Sequence, residues 1–352
     1  MKKTLAALIV SAFAASAANA AVVYDNEGTK VELGGSLRLI MEKADKKEYD
    51  RANHSTKKAN SALRNAGSRF GVKVKHNLDN DFYALGNLEL RFDDTTSRDK
   101  FGGAYAKRAY VGLGSQSVGE IKFGRQLTIA DDLSQANDYE YGFIPKGDYI
   151  PTSGTGVVRY DYKGIEGLQL SANYNFGQKN DEKGKALDPA IKNAFALGAL
   201  YTAGDLDARF AYGHTNLETN ATYKHRVDGF LASLGYKFGD FTLTGDFGYG
   251  HEKLDDAKLN KFYVSPGFAY QVVPASKVYG NYLYERVKGE SDKVKTHGFL
   301  LGADYKLHKQ VVVFLEGKYV TTKNYAENAN GGYAYDGKTK DRAIGVGMRV
   351  FF

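Results

Sequence analysis

From residue 29 onward the chain alternates apolar and polar positions in runs of about ten residues, the length a tilted strand needs to cross the hydrocarbon of a bilayer. Val31, Leu33, Leu37, Leu39 and Met41 share one phase, and Glu32, Ser36, Arg38 and Glu42 share the other. Phe70, Val72 and Val74 oppose Arg69, Gly71, Lys73 and Lys75; Phe82, Leu88, Leu90 and Phe92 oppose Tyr83, Asn87, Glu89 and Arg91. Leu168, Leu170, Ala172, Tyr174 and Phe176 oppose Gln169, Ser171, Asn173 and Asn175. The rule holds again where Leu206, Ala208, Phe210 and Tyr212 oppose Asp207, Arg209 and Ala211. It holds where Phe241, Leu243, Phe247 and Tyr249 oppose Thr242, Thr244 and Asp246. A period of two sends successive side chains to opposite faces of a strand.

Short turns are predicted at Asn77–Asn80, Ser115–Val118, Lys163–Gly167, Thr202–Asp205, Gly239–Asp240, Val273–Ser276 and Leu307–Lys309. Longer polar loops are predicted at Ala44–Gly67, Asp93–Gly103, Leu127–Thr152, Gly177–Asn193, His214–Arg226, Gly250–Asn260, Lys288–Lys295 and Thr321–Lys340. Seven turns and eight loops connect sixteen strands. An even strand number with one short-turn end and one long-loop end predicts an all-β, 16-stranded antiparallel transmembrane β-barrel. No linker or compositional break divides it. Phe82, Phe92, Phe176, Phe238, Phe241, Tyr249, Tyr305 and Tyr319 fall near strand ends in the outward phase, where aromatic girdles meet the headgroups; each is also simply a good strand former. Ile344, Val346, Met348, Val350 and Phe352 alternate with Gly345, Gly347, Arg349 and Phe351. The last strand therefore keeps its phase to the terminal residue, as a strand that must close a cylinder requires.

Composition changes the picture in three places. The mean hydropathy of −0.44 reads as soluble, yet a barrel that alternates apolar-out with polar-in has a low average by construction. Forty glycines, 26 tyrosines and 20 phenylalanines against 5 prolines suit a large sheet better than a periplasmic β-sandwich. With no cysteine, disulfides, thiol chemistry and thiolate metal sites are excluded. The N terminus has Lys2 and Lys3, an apolar run from Leu5 to Ala15 and an Ala18-Asn19-Ala20 cleavage site. It predicts a secretory signal over residues 1–20, removed on export to the periplasm, and a barrel domain over 21–352. The net charge of +7 is spread along the chain and makes no case for nucleic acid.

Motifs for chemistry are weak. Gly332–Thr339 fits the G-x-x-x-x-G-K-[ST] pattern, but a period-two strand follows it where a phosphate cradle needs a helix. Asn53-His54-Ser55 and Asn220-Ala221-Thr222 fit glycosylation acceptors and read as polar loop residues. His251 beside Glu252 is an isolated pair, and no H-E-x-x-H or G-x-S-x-G occurs. No cofactor or metal is expected. A barrel hydrolase would need Ser, His and Asp or Asn to converge near one rim. An adhesin anchor would need a passenger domain, and a solute-specific barrel an aromatic slide or a ring of one charge sign.

The segments AVVYDNEGTKVELGGSLRL, RFGVKV, NLELRF, AKRAYVGL and GEIKFGRQ, in that order before the terminal Phe352, resemble the trimeric general porins of Gram-negative outer membranes, with most similarity to the major porins of Haemophilus and Pasteurella. The resemblance covers the mature chain. It implies a homotrimer, passive diffusion of ions and small hydrophilic solutes, and no enzyme activity. It further implies an outer-membrane location reached through the barrel-assembly machinery, with Phe352 serving assembly. It also implies a third loop folded into the barrel as the pore constriction, here Leu127–Thr152, with Asp131, Asp132, Asp138 and Glu140 as its acids and Glu140-Tyr141-Gly142 as its tip. By the same resemblance the facing basic wall comprises Arg69, Lys107 and Arg125. Arg38 and Arg159 share the inward phase of Ser36 and Ser153, which stand where other members have bases. Glu89 and Arg91 join the lumen. Lys107 shares a phase with Ala109, Val111 and Leu113, so Arg108 is its alternative. Asp131, Asp132 and Glu140 are expected to face Arg69 and Arg38 across the pore. The second loop, Asp93–Gly103, is either a latch over a neighbouring subunit or an ordinary mobile loop. Lys43, Lys46, Lys47, Arg51, Lys57 and Lys58 make outer-membrane lipids, lipopolysaccharide among them, candidate partners. Exclusion limit, conductance, ion selectivity and preferred solute are not encoded in any of these patterns.

Overall fold

A computed structural model describes residues 20–50, 54–58, 61–93, 99–219, 224–329 and 331–352. The predicted signal up to residue 19, Arg51, Asn53 and Asn220–Thr222 lie outside the described residues. Twenty strand segments form one antiparallel sheet. Four are short pieces, Ala21–Asn26, His54–Lys58, Ala62–Asn65 and Gln178–Asn180. The remaining sixteen are the predicted barrel strands, from Thr29–Asp50 to Tyr333–Phe351, each paired with its chain neighbours. Closure comes from Ser36–Asp50 of the first strand, which pairs with Gly337–Phe351 of the last. Ala21–Asn26 lies on the same edge, against Thr29–Leu33. Ala21–Asn26 and the last strand thus complete one composite strand on that edge. Gly35 N–H donates to the Phe352 carbonyl at 2.9 Å, and Phe352 N–H returns a bond at 3.2 Å. A Cβ on Gly35 would stand 2.8 Å from the Phe352 ring, so only glycine lets the terminal ring cross there. No edge is left open for aggregation.

Alternation sets the two faces. Leu37, Met41, Phe70, Val111, Leu197, Phe247, Leu301 and Ile344 are exposed on the outside, as are Phe82, Phe92, Phe176, Phe238, Tyr249, Tyr305 and Tyr319. Their inward neighbours Ser36, Asp161, Ser171, Asn173, Asp207, Asp246, Asp304 and Glu316 are buried. Among the described residues no helix is long and apolar enough to cross a membrane, and a barrel requires none.

The loops are shorter than predicted. Polar residues of Ala44–Gly67 continue the first strand to Asp50 and form His54–Lys58 and Ala62–Asn65. The predicted loops at Gly250–Asn260 and Thr321–Lys340 are mostly strand: Phe241–Leu254 and Ala257–Val273 leave two residues between them, and strand resumes at Tyr333 after Glu327. Above the bilayer a strand is wetted on both faces. It loses its apolar phase while keeping its ladder, so periodicity is blind to it. Gly332–Thr339 lies at the start of the last strand, with no helix after it.

Candidate functional site

The long connection between strands Gly119–Leu127 and Ser153–Ile165 turns into the barrel. Thr128 starts it, its hydroxyl accepting from Ala130 N–H at 3.3 Å ahead of the 3-10 turn Ile129–Asp132. Ile129, Ala130, Leu133, Tyr149 and Ile150 then pack on Ala196, Ala211, Leu231, Tyr263 and Leu283 of the barrel wall. Tyr141 packs with Ile40, Tyr279, Leu300 and Phe314 in a second cluster. The wall makes room with glycine: a Cβ on Gly198, Gly213 or Gly229 would approach Ile129, Ile150 or the Tyr149 carbonyl to 2.6, 2.5 or 2.1 Å. The molecule's apolar core is therefore the seam between this loop and the lumen wall.

Polar contacts fix the loop along its length. Ser134 Oγ and Gln135 N–H donate to Asp246 at 2.6 and 3.0 Å. The Tyr139 and Glu140 amides donate to the Glu316 carboxylate at 2.7 and 2.9 Å, joined by the Tyr141 amide and by Tyr279 OH at 2.9 Å. Tyr139 OH reaches Asp304 at 2.8 Å, Tyr141 OH reaches Glu42 at 2.8 Å, and Tyr149 OH reaches Glu285 at 3.1 Å. Glu316 is fully buried, and a buried carboxylate persists when several donors saturate it. The tip turns back at Gly142, where a Cβ would stand 2.7 Å from the Asp138 carboxyl.

Glu140 sits between Arg38, at 3.2 Å, and Arg64, at 2.6 Å, and Arg64 also pairs with Glu42 at 2.7 Å. Arg38 donates further to the Ala66 and Tyr139 carbonyls. Asp132 instead meets Arg159 at 2.7 Å, and Asp131 meets Lys146 of its own loop at 3.4 Å. The expectation that Asp131, Asp132 and Glu140 all face Arg38 and Arg69 is thus corrected. The first turn of the loop is too close to its own strand to reach across, so its acids pair locally. Asp138 is exposed to lumen water, yet the protein around its carboxyl crowds it. That burial, with repulsion from Glu316, pushes its carboxyl up to about 6 against the pull of Arg38 and Lys146. Burial also raises Glu140, although Arg38 and Arg64 pull it down.

The opposite character appears on the strands around the closure. Arg69 pairs in register with Ser36 on one side and Arg91 on the other, and Arg38 pairs with Arg349. Arg91 bonds Glu89 at 2.6 Å, and Arg108 stands 3.8 Å from the same carboxylate. Arg349 donates to Ser36 Oγ at 3.0 Å and lies over the Phe351 ring. Among the described residues Arg69 pairs with no carboxylate, and its Nε is buried without a partner. Sequence reasoning missed Arg349, although it shares the inward phase of Gly345 and Gly347. It missed Arg64, hidden in a presumed loop, and Glu316, an acid in the inward phase of a strand.

The ambiguity at Lys107 resolves as a β-bulge. Glu89 pairs with Arg108 and Leu90 with Ala106, leaving Lys107 as the extra residue. Lys107 pairs with Glu182 of the fourth loop, and Arg125 donates to the Ala106 carbonyl at 2.6 Å. Their contacts run to the fourth loop and to the bulged strand. Residues 94–98 of the second loop lie outside the described set. The rest of that loop docks on its own chain, with Asn65 N–H donating to the Lys100 carbonyl at 2.9 Å.

A lumen narrowed by an inward loop, acids on that loop and bases on the facing strands are the geometry of a charged aperture. The sequence profile of the Gram-negative porin family matches residues 4–325. The chain belongs to that family. This porin is 30% identical, over the whole of both chains, to the "Major outer membrane protein" of Pasteurella multocida strain Pm70. Its fold is that of OmpT, an outer membrane protein of Vibrio cholerae solved in a trimer form. OmpT is 19% identical, with a TM-score of 0.68 over 92% of this chain and all of OmpT. An anion-selective porin from Comamonas acidovorans, 17% identical, matches with a TM-score of 0.65 over 92% of this chain and all of that one. The porin resides in the outer membrane and forms a channel for passive diffusion of small solutes.

Proposed function

We propose that the porin works as a homotrimer and that the third loop and the arginine strands together filter solutes by size and charge. The observation that carries this reading is the placement of the loop residue Glu140 in the clasp of Arg38 and Arg64, with Arg38 on the strand whose Ser36 pairs with the strand residue Arg69, which has no carboxylate partner among the described residues. Fixed charges of both signs on facing walls set up a transverse field. Water and dipolar solutes align in it, and an apolar solute must disrupt that order. Solutes pass without a chemical step, so no cofactor and no catalytic group are required. Arg159 and Asp132 hold the loop base, Glu89 and Arg91 line the wall, and Lys107 and Arg125 hold the fourth loop at the mouth. The mature chain begins after Ala20, and Phe352, locked against Gly35, serves the assembly machinery as an end marker. The trimer is supported by the trimer form of Vibrio OmpT.

Planar-bilayer recording tests this. The protein is expected to give ohmic steps that close in three sublevels at high voltage. Asp138→Asn with Glu140→Gln is expected to move the reversal potential in a salt gradient toward anions. An unchanged reversal potential would overturn the assignment of the acids, and closure in one step would overturn the trimer.

A further inference from the structure

Between the strands Leu168–Asn175 and Ala186–Ala203 the chain reads Phe-Gly-Gln-Lys-Asn-Asp-Glu-Lys-Gly-Lys. After Phe176 this fourth loop has no apolar residue to bury, and its order comes from polar contacts. Asp181 organises the tip. Its Oδ1 accepts from the Lys183 and Lys185 amides, each at 2.9 Å. Its own N–H donates to the Lys185 carbonyl at 2.8 Å, and its carbonyl accepts from Gly184 at 3.1 Å. Gly184 lies at φ +85°, which glycine takes without strain. At the base, the Thr155 amide donates to Gln178 Oε1 at 3.0 Å, and Gln178 Nε2 donates to the Asn180 carbonyl at 2.9 Å. The tip is thus a preformed unit.

That unit folds back along the rim. Glu182 pairs with Lys107, Lys183 pairs with Asp93 at 2.6 Å, and Arg125 donates to the Glu182 carbonyl at 3.4 Å. From Leu168–Asn175 the ladder runs through Ser153–Ile165, Gly119–Leu127 and Gly103–Ser115 to Phe82–Asp93. With strands about 4.8 Å apart, the tip reaches roughly 19 Å back along the wall. Tyr105 fixes the side on which it lies. Tyr105 pairs in register with Arg91, itself the partner of Arg69, and Lys183, Asp93 and Glu182 act on its hydroxyl together with Arg91. The tip therefore lies on the lumenal side of the rim, above the arginine wall. The bulge at Lys107 belongs to the same arrangement. An unbroken ladder would leave Lys107 in the outward phase of Ala109, Val111 and Leu113. The extra residue re-aims its side chain, which meets Glu182.

We infer that the fourth loop is a strap across the mouth, a second aperture that holds back bulky hydrophilic solutes before they reach the third loop. Glu182 and Lys183 close it, and Lys107 and Asp93 are its positioning residues. Both ion pairs stay partly wet, their side chains keeping between 16 and 32% of their exposure. Pairs open to water are individually weak and are screened by salt, so a preformed tip held by them lifts as a unit. The strap presupposes that solutes diffuse through the lumen, and it is independent of which wall sets the sign of the field below it.

Swelling of proteoliposomes in glucose, raffinose and stachyose tests it, because neutral probes do not feel a change of charge directly. Lys107→Glu sets like charges against each other at the tip and is expected to raise stachyose entry severalfold relative to glucose. Adding Glu182→Lys remakes the pair with its signs exchanged and is expected to restore the ratio. The chain has no cysteine, so Lys107→Cys with Glu182→Cys supplies one pair of thiols per chain. A bis-methanethiosulfonate linker across them is expected to hold the ratio at or below that of the unaltered protein, and its release by reductant to raise it. In the unaltered protein the ratio should climb with salt, as the Debye length falls to about 3 Å at about 1 M, while the linked protein should not respond. A linked protein that passes stachyose as fast as the reduced one would overturn the strap. So would an unchanged ratio in Lys107→Glu, or a charge swap as leaky as the single variant, which would place the defect in the bulge itself. Rapid glucose entry confirms a folded channel in each preparation. Its absence from all of them would take down the channel reading and the strap with it. A reversal potential unmoved by the Asp138 and Glu140 variants would sink the charge assignment at the constriction and leave the strap standing.

Discussion

The two walls of the lumen treat charge in opposite ways. Where the third loop lies against the barrel, charges are matched: Asp132 has Arg159, Asp246 has Ser134 and the Gln135 amide, and Glu316 has three loop amides and Tyr279. On the strands beside the barrel closure, Arg69 and Arg349 face no carboxylate within ion-pair distance among the described residues, and Arg91 and Arg108 share Glu89. Matched charges hold geometry, because each buried ion is costly unless satisfied. Unmatched charges hold a field, because nothing nearby cancels them. One wall builds the aperture and the other gives it a sign.

The largest expected effect comes from attacking the matched wall at its most connected point. Glu316→Ala leaves the Tyr139, Glu140 and Tyr141 amides and Tyr279 OH without an acceptor, and each bond to such a charged group contributes about 1.5–3 kcal/mol. The loop tip should come free while the barrel survives, since the ladder around Glu316 is backbone. Single-channel recordings should show larger and noisier steps, and bulkier sugars should enter liposomes faster. Unaltered conductance and sugar flux would show that the tip is held elsewhere.

Next is a contrast between the walls. Arg69→Gln with Arg349→Gln removes two uncompensated cations, so reversal potentials should move toward cations while the thermal unfolding midpoint stays level or rises. Arg38→Gln removes one cation from the pair with Glu140 and should shift selectivity in the same direction. It should also destabilise, because breaking a buried pair costs about 3–5 kcal/mol, reduced here by the remaining Arg64 contact. If both variants lose stability alike, the distinction between a structural wall and a field wall fails.

The same division sets how far the molecule was legible in its sequence. Period two, together with the turns and loops between its runs, predicted sixteen strands and set the faces of the runs it was read on, because the bilayer enforces apolar residues outside wherever a strand spans it. It placed Arg38, Arg69, Glu89, Arg91 and Arg159 inward without a structure. It could not find Glu316 as the anchor, since an inward glutamate on a barrel strand looks like any other lumenal acid until the loop lands on it. Gly198, Gly213, Gly229 and Gly345 were the available signal. Each is an inward glycine whose Cβ position is occupied by a loop side chain, a loop carbonyl or, at Gly345, the Tyr141 hydroxyl. Lys107 was ambiguous because a bulge breaks the very periodicity used to read it. The partners of Asp131 and Asp132 depend on how tightly the loop turns at Thr128, which alternation does not encode.

The smallest expected effect is also the one that joins the two walls. Asp138 reaches lumen water from the matched side, and its carboxyl titrates near 6 because burial and Glu316 oppose its charge. Its folded value lies above the ordinary carboxylate value near 3.9, so the fold binds the proton more tightly than the free chain does. Loop docking therefore strengthens as pH falls through about 6 toward 4, and the aperture loses one negative charge over the same window. Selectivity should drift toward anions with a midpoint near 6. Any other group that gains charge in that range pushes in the same direction, so the drift alone proves nothing. The informative quantity is the difference from Asp138→Asn, which keeps every histidine and cannot titrate at this position. Subtracting its reversal potentials from those of the unaltered porin should leave a single transition near 6. A difference that is flat from pH 4 to pH 8 would mean that Asp138 is neutral or screened throughout, and the field at the aperture would then belong to the arginine wall alone.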